Sequence, residues 1–415
     1  MSPTARAALA LAGLAVLALL VPVPITIALF AVLILLVVVD ARAAHRPLVL
    51  HGVAPRVVAR GVPSALEVRA DGEGLERVRI RQATAPDIVV DPAVAGGALE
   101  SRLVAGRRGG HELPAPAARR TGPLGLAAWT FSGGEAQALV AYPDLPAARR
   151  LVISLRRGRF REPGHRTRGP LGLGTDFESV RDYLPDDDVR QINWLATSRV
   201  GRPMSNQYRV EQDRDVVCVV DAGRLMAAPI GPLTRLDAAV DAVAAVALVA
   251  DEVGDRSGVI VFDDEIRRRV KPLRNGGRAV VQAVVDVEPQ LIDSDYDLAF
   301  RSVGASKRGL VIVFTDLVDE AAARSLLAAV PVLARRHAVV VASVTDPDLH
   351  DAMVREPATT RDVYATAVAR DVLEARTRVA ARLRGCGAVV LEASPARLGE
   401  ACVGAYLRLK ARARL

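Results

Sequence analysis

Aromatic residues, lysine and cysteine are all scarce in this chain, and each shortage narrows what it can be. Phe, Trp and Tyr supply only 4% of its 415 residues, so Leu, Val and Ala must fill the core. Lysine occurs only at Lys271, Lys307 and Lys410, so the formal charge of +8 is carried by arginine, spread along the chain among Asp and Glu. No basic run is interleaved with aromatics, which argues against nucleic-acid binding by base stacking. Cys218, Cys386 and Cys402 are odd in number and form no close pair. That argues against a disulfide framework or a zinc site and suits a reducing compartment. Cys218 lies in an apolar strand-like run, where a thiol acts as a small buried hydrophobe.

Catalytic signatures are also missing. There is no P-loop, no Gly-x-Ser-x-Gly elbow, no His-Glu-x-x-His and no Cys-x-x-Cys, so ATP hydrolysis by the chain itself, and the usual hydrolase and redox chemistries, find no support. The histidines are scattered away from the Asp-rich motifs. The chain reads as non-catalytic and without a resident cofactor.

What the chain does have is a long hydrophobic run. From Ala7 to Val39 no residue is charged. A single straight helix of that length would reach about 50 Å, against a hydrocarbon core of about 30 Å. Pro22-Val23-Pro24 interrupts the run, and proline breaks a helix interior. Two spans joined by a tight turn, roughly 4–21 and 24–39, fit better. Arg6 precedes the first span and Arg42, Arg46, Arg56 and Arg60 follow the second, which places both ends on the cytoplasmic side. A cleaved leader is the competing reading, opposed by the length of the run and its two prolines.

Four segments follow from the pattern. Residues 1–40 form the two-span membrane hairpin, through which the chain meets lipid. Residues 47–155 alternate in short strand-like runs punctuated by Gly and Pro turns, as in a small antiparallel β-sandwich; Gly122-Pro123-Leu124-Gly125-Leu126 is a turn within it. Residues 156–213 begin as an Arg-, Gly- and Pro-rich connector, extending to about residue 174. Residues 214–415 alternate continuous Val/Ile/Leu strands with helical patterns. That pattern predicts a doubly wound, mainly parallel α/β sheet of Rossmann-like type.

Ligands of such sheets approach the carboxyl ends of the strands. Two apolar runs end in aspartate there: Val219-Val220-Asp221 and Phe314-Thr315-Asp316. Carboxylates at neighbouring strand ends offer the hard oxygens that Mg²⁺ or Ca²⁺ takes. A strand ending in Asp, then a helix, then a later strand ending in Thr-Asp resembles the von Willebrand factor type A fold. In that family the first Asp opens an Asp-x-Ser-x-Ser motif, and a Thr and the later Asp complete a metal-ion-dependent adhesion site. Here the serine positions are Gly223 and Leu225, and the threonine position falls near Tyr296. The implied site is therefore degenerate, with Asp221 and Asp316 remaining. In the alternative reading, these aspartates cap helix starts or pair with arginines such as Arg224.

A more specific pattern precedes this domain. Gly174, Phe177, Arg181, Tyr183, Asp187, Asp188, Arg190, Ile192, Trp194, Ala196, Thr197 and Arg199 resemble the signature of the bacterial family known as domain of unknown function 58. The departures are Asp186, where that family usually has Gly, and Ser198, where it often has Ala. The resemblance implies a two-span start, a β domain and a von Willebrand type A-like domain. It also implies partnership with a MoxR-type AAA+ ATPase in assembly or maturation of other proteins. Read from its residues, the segment has three possible roles: an Asp–Arg lattice over Tyr183 and Trp194 pinning it to the sheet domain, a partner-docking surface, or a carboxylate cluster. The reading as a whole is a membrane-anchored interaction module, binding through the edge around Asp221, Asp316 and the Asp295–Asp297 loop. The alternatives are a metal-dependent phosphoesterase or hydrolase using Asp221, Asp316 and Asp187, and a metal-dependent adhesion domain outside the cell.

Overall fold

The computed structural model describes residues 2–157, 176–184, 187, 189–209, 213–304, 308–317 and 320–411. Most of the expected connector therefore lies outside the described residues. Two compact units emerge, Met1–Tyr142 and Pro143–Leu415.

The first unit opens with helices Ala5–Leu17 and Val23–Ala44, separated where the prolines interrupt the apolar run. Val23–Ala44 is long and apolar enough to cross a membrane. Ala5–Leu17 has 13 residues, which at about 1.5 Å each reach only about 20 Å; the span expected to extend to Val21 ends earlier. The second helix, conversely, runs past Val39 and carries Asp40 and Arg42 within it.

One turn grips the polar ends of both helices. The Thr4 hydroxyl donates to the Gly125 carbonyl at 2.5 Å, and the Thr4 amide to the Leu126 carbonyl at 3.0 Å. The buried Asp40 carboxylate accepts the amides of Leu124 and Leu126, each at 2.7 Å, and of Ala127 at 2.8 Å. A Cβ on Gly122 would collide with the Asp40 carboxylate, so a close backbone approach fixes glycine there.

Behind this clamp lies the β-rich part. Ser64–Asp71 shows the period-2 logic: Leu66 and Val68 point inward, Glu67 and Arg69 outward. Its four-stranded sheet (Val49–Val53, Ser64–Asp71, Ala98–Ala105, Ile88–Asp91) is antiparallel throughout. A five-stranded antiparallel sheet runs Ser2–Pro3, Ala127–Ser132, Ala117–Thr121, Val78–Arg81, Val94–Gly96. Leu66, Val68, Val78, Ile80, Leu99, Leu103 and Leu139 share one core.

The second unit begins with a helix, Leu145–Arg156, so residues 143–155 do not belong to the β domain as expected. Asp144 caps the helix, its carboxylate accepting the Ala147 amide at 2.9 Å. Its apolar face, Ala148, Leu151, Val152 and Leu155, joins the core of this unit. Arg156 holds Glu252 with two hydrogen bonds, at 2.6 and 2.7 Å.

The main sheet has six strands in the spatial order Ile266–Arg274, Arg256–Phe262, Asp215–Asp221, Leu310–Phe314, Ala338–Val344, Val389–Ala393. Five are parallel; Ile266–Arg274 runs antiparallel to Arg256–Phe262 at one edge. Alternate residues of Asp215–Asp221 feed two separate cores. Val216, Cys218 and Val220 pack against Arg235–Glu252 and Leu398–Ala411, while Val217 and Val219 share a core with residues of Tyr296–Val303, Arg324–Ala334 and Thr360–Gly385. Burial on both faces explains why that strand is apolar without alternation.

Candidate functional site at the carboxyl ends of the strands

Asp221 ends one strand, and Thr315 and Asp316 directly follow its neighbour, Leu310–Phe314. The two carboxylates sit at the same edge of the sheet but face different partners. Asp221 is 1% exposed. One of its oxygens accepts the Gly223 amide at 2.8 Å and the Ser294 hydroxyl at 2.5 Å. The other accepts the hydroxyls of Tyr296 and Thr315, each at 2.7 Å. Tyr296 and Thr315 are themselves 2.7 Å apart. Burial, and then the adjacent Asp221 charge, push the Tyr296 phenol well above its ordinary range and keep it a donor.

Gly223, where the resemblance to the Asp-x-Ser-x-Ser motif would put a serine, has no room for one. A Cβ there would collide with the Ser294 hydroxyl and come 2.7 Å from the Ile292 carbonyl. Ser294, supplied from a different loop, brings the hydroxyl to Asp221 instead.

Asp316 belongs to an ion network. It pairs with Arg235 and, at 2.9 Å, with Arg376, both buried. Ser343 donates to it at 3.2 Å and the Leu317 amide at 3.0 Å. Arg376 also reaches the Val344 carbonyl at 2.8 Å, tying the long helix Thr360–Gly385 to the strand Ala338–Val344. These surroundings do not fit the implied Mg²⁺ or Ca²⁺ cage. The Asp221 oxygens already take four protein donors, and Asp316 is neutralised by two guanidinium groups, so a cation would have to displace both sets. Among the described residues, no three of His, Cys, Asp and Glu converge in a metal-holding group.

A cavity of about 380 Å³ opens beside Asp221, lined by Arg224, Leu225, Ile292, Ser294 and Tyr296 among others. Arg224 pairs with Asp293 at its rim. Cys218, in the strand below, has its thiol pushed up to about 12 by burial, and so is packing material, not a nucleophile.

The signature segment folds as a hairpin, Asp176–Asp182 with Met204–Arg209, carrying the short helix Trp194–Val200 between its strands. Arg181 clamps Asp187 with two bonds of 2.8 and 2.6 Å. That pairing, together with the Leu184 amide at 2.8 Å, holds the Asp187 carboxyl below its ordinary range. Tyr183 donates to the Asp187 carbonyl at 3.0 Å, and Arg202 reaches Asp182 at 3.2 Å. Asn193 caps the helix through the Ala196 amide and bonds Asn206 across the hairpin, at 2.9 and 2.8 Å. Thr197 accepts the Met204 amide at 3.0 Å.

Trp194 corrects the expectation of a ring packed under an Asp–Arg lattice: it is 70% exposed, at the first position of the helix that Asn193 caps. Leu195 and Arg199 are exposed beside it. Asp186 and Asp188 lie outside the described residues; Arg190 sits in the turn Val189–Gln191, its side chain likewise outside them. The expected grouping of Asp187 with Asp221 and Asp316 is not formed as a shared ligand set, since each has its own partners.

Ser294, Thr315, Arg235 and Arg376 are the working residues that sequence reasoning missed. Arg376 did leave a signal: with Val379, Ala380 and Leu383 it falls on the i, i+3, i+4, i+7 stripe of its helix, and all four are buried. A charge on an apolar stripe calls for a buried partner.

Comparison with known proteins agrees with the signature segment. The uncharacterized protein Mb1516 of Mycobacterium bovis and the uncharacterized protein Rv1480 of Mycobacterium tuberculosis (strain H37Rv) are each 26% identical to the chain over 245 residues, covering 53% of this chain and 74% of theirs. Over residues 179–364, from the signature hairpin through both strand-end aspartates, the chain matches the family described as Protein of unknown function DUF58.

Proposed function

We propose that this protein is a membrane-anchored, non-catalytic interaction module whose binding surface is the carboxyl edge of the six-stranded sheet. One observation carries the reading: Asp221 and Asp316 are both consumed by donors of the chain itself. A carboxylate so engaged holds loops in place and is a poor base or metal ligand. The 380 Å³ cavity and its rim then offer shape and an Arg–Asp pair to a partner. The strand order and the two Asp tips support a von Willebrand factor type A-like reading of this unit. The resemblance to the domain of unknown function 58 family points to a MoxR-type AAA+ ATPase as the partner, in chaperone-like assembly or maturation of other proteins.

Helix Val23–Ala44, long and apolar enough to cross a membrane, and the arginines flanking the apolar run support an anchor in the cell membrane, with the folded parts on the cytoplasmic side. The test is affinity capture of the full chain from detergent-solubilised membranes, with ATP and with ADP. Recovery of an AAA+ ATPase, lost on substitution at Arg224 or Ile292, is the expected result. Recovery of none under either nucleotide would sink the partnership.

A further inference from the structure

The five-stranded sheet of the first unit has an unusual charge make-up. Its strands carry four arginines, Arg79, Arg81, Arg119 and Arg120, and neither Asp nor Glu. Arg119 and Arg79 are direct cross-strand partners, and both are exposed. Like charges placed opposite each other on a sheet repel, so this pair is disfavoured unless an anion lies over it. Arg81, two residues from Arg79, is exposed on the same face.

The sheet is also continuous with the membrane helices. Its edge strand Ser2–Pro3 runs into Thr4, the cap of helix Ala5–Leu17. The adjacent turn holds Asp40 of helix Val23–Ala44. Arg119 itself reaches the Ser2 hydroxyl at 3.4 Å. Thr121 pairs with Ala128 beside this clamp, and Arg119 is two residues further along, about 7 Å away at 3.4 Å per residue. The headgroup layer outside the hydrocarbon core is about 5–8 Å deep on each side, so a side chain as long as arginine spans that interval. Trp129, stacked edge-on against His45 at 4.1 Å, adds the kind of aromatic that settles at a bilayer interface.

We infer that the outward face of this sheet, centred on Arg79 and Arg119, is a binding surface for the anionic headgroups of the surrounding bilayer. The inference rests on the membrane anchor proposed above and adds a lipid preference to it. Phosphate oxygens would bridge the two guanidinium groups, relieve their repulsion and fix the β domain against the membrane.

The test uses the full chain in nanodiscs of phosphatidylcholine with and without phosphatidylglycerol, counting retained lipids by native mass spectrometry. The wild type should retain phosphatidylglycerol preferentially, and less so at high salt. The R79Q/R119Q variant should lose most of that preference, up to about thirtyfold for two arginines at an anionic surface. Both residues are exposed, so the variant should fold; an unchanged circular-dichroism melting curve checks this. R335Q/R336Q, in the second unit, should keep the preference. Equal retention by the wild type and R79Q/R119Q would overturn the headgroup surface. A carbonate wash separates the two readings. A wild-type chain released from membranes removes the anchor and this inference together, whereas a retained chain with no lipid preference removes only this inference.

Discussion

Tyr296 places its phenol oxygen 2.7 Å from the Asp221 carboxylate, near the position that the resemblance to a metal-ion-dependent adhesion motif assigns to a threonine. Removing that hydroxyl tests whether it is structural. Tyr296→Phe leaves Asp221 with three donors instead of four and should cost about 1–3 kcal/mol, the usual range for weakening a buried polar network. The measurement is thermal or denaturant unfolding of the second unit. No loss of stability would mean that Asp221 has another partner, and the reading of a consumed carboxylate would weaken.

The same phenol gives a pH dependence. Tyr296 and Tyr406 are both raised well above 10.0 in the folded chain, first by burial and then by the nearby Asp221 and Asp255 charges. Above the unfolded value the unfolded chain has released protons that the folded chain still holds, so stability falls as pH rises. The stabilisation is complete below pH about 10 and declines above it. An alkaline unfolding titration should show this, with a shallower slope in Tyr296→Phe.

Gly223 is predicted to tolerate no side chain. Gly223→Ala pushes a Cβ into the Ser294 hydroxyl and to 2.7 Å from the Ile292 carbonyl. Overpacking of this kind costs about 1–3 kcal/mol. Adding Ser294→Ala should recover only part of the loss, because the Ile292 backbone contact remains. Full recovery would show the clash to be with the hydroxyl alone. A neutral single variant would show that the loop carrying Ser294 moves freely.

These partnerships mark the limit of what the sequence made legible. Unbroken apolar runs such as Val216–Val220 announce burial on both faces, and an Asp at the end of such a run announces a polar strand tip. Tyr296 could be flagged from its place in a motif. The identity of the donors could not. Ser294 lies 73 residues from Asp221, and Arg376 lies 60 residues from Asp316; only the folded loops bring them together. Trp194 was misjudged for a local reason. The lattice reading set it beneath Asp and Arg side chains, whereas it opens a short helix capped by Asn193 and stands 70% exposed. The helix Leu145–Arg156 is short, and its apolar stripe of Ala148, Leu151, Val152 and Leu155 was easily taken for the end of the strand-rich region.

Asp316 should be among the costliest positions in the second unit. Asp316→Ala takes the carboxylate from the buried Arg376 and leaves Arg235 with Asp346 as its remaining one. Stranding a buried charge costs about 3–5 kcal/mol. Replacing Arg376 by Met in the same chain should recover part of this, since one orphaned cation is removed. If the double variant is no more stable than Asp316→Ala, Arg376 must find compensation in Ser343 and the Val344 carbonyl alone.

Asp40 presents the same logic at the apolar end of the chain. It stands just before the last turn of helix Val23–Ala44, where the negative pole of the helix disfavours a negative charge. The three amides of Leu124, Leu126 and Ala127 more than offset that cost. Asp40→Asn keeps one oxygen but turns an amine toward N–H donors, and Asp40→Ala removes both oxygens. Each orphaned amide should cost about 1–3 kcal/mol. Hydrogen exchange in detergent should therefore accelerate at least about tenfold, the equivalent of about 1.4 kcal/mol, at Leu124, Leu126 and Ala127 in Asp40→Ala, and in Asp40→Asn at those amides left facing the amine. It should remain slow in the strand Ser64–Asp71, whose amides are held by its own sheet. Unchanged exchange at those three amides in Asp40→Ala would mean that the turn holds its shape without the helix, and that the clamp between the apolar helices and the β domain lies elsewhere.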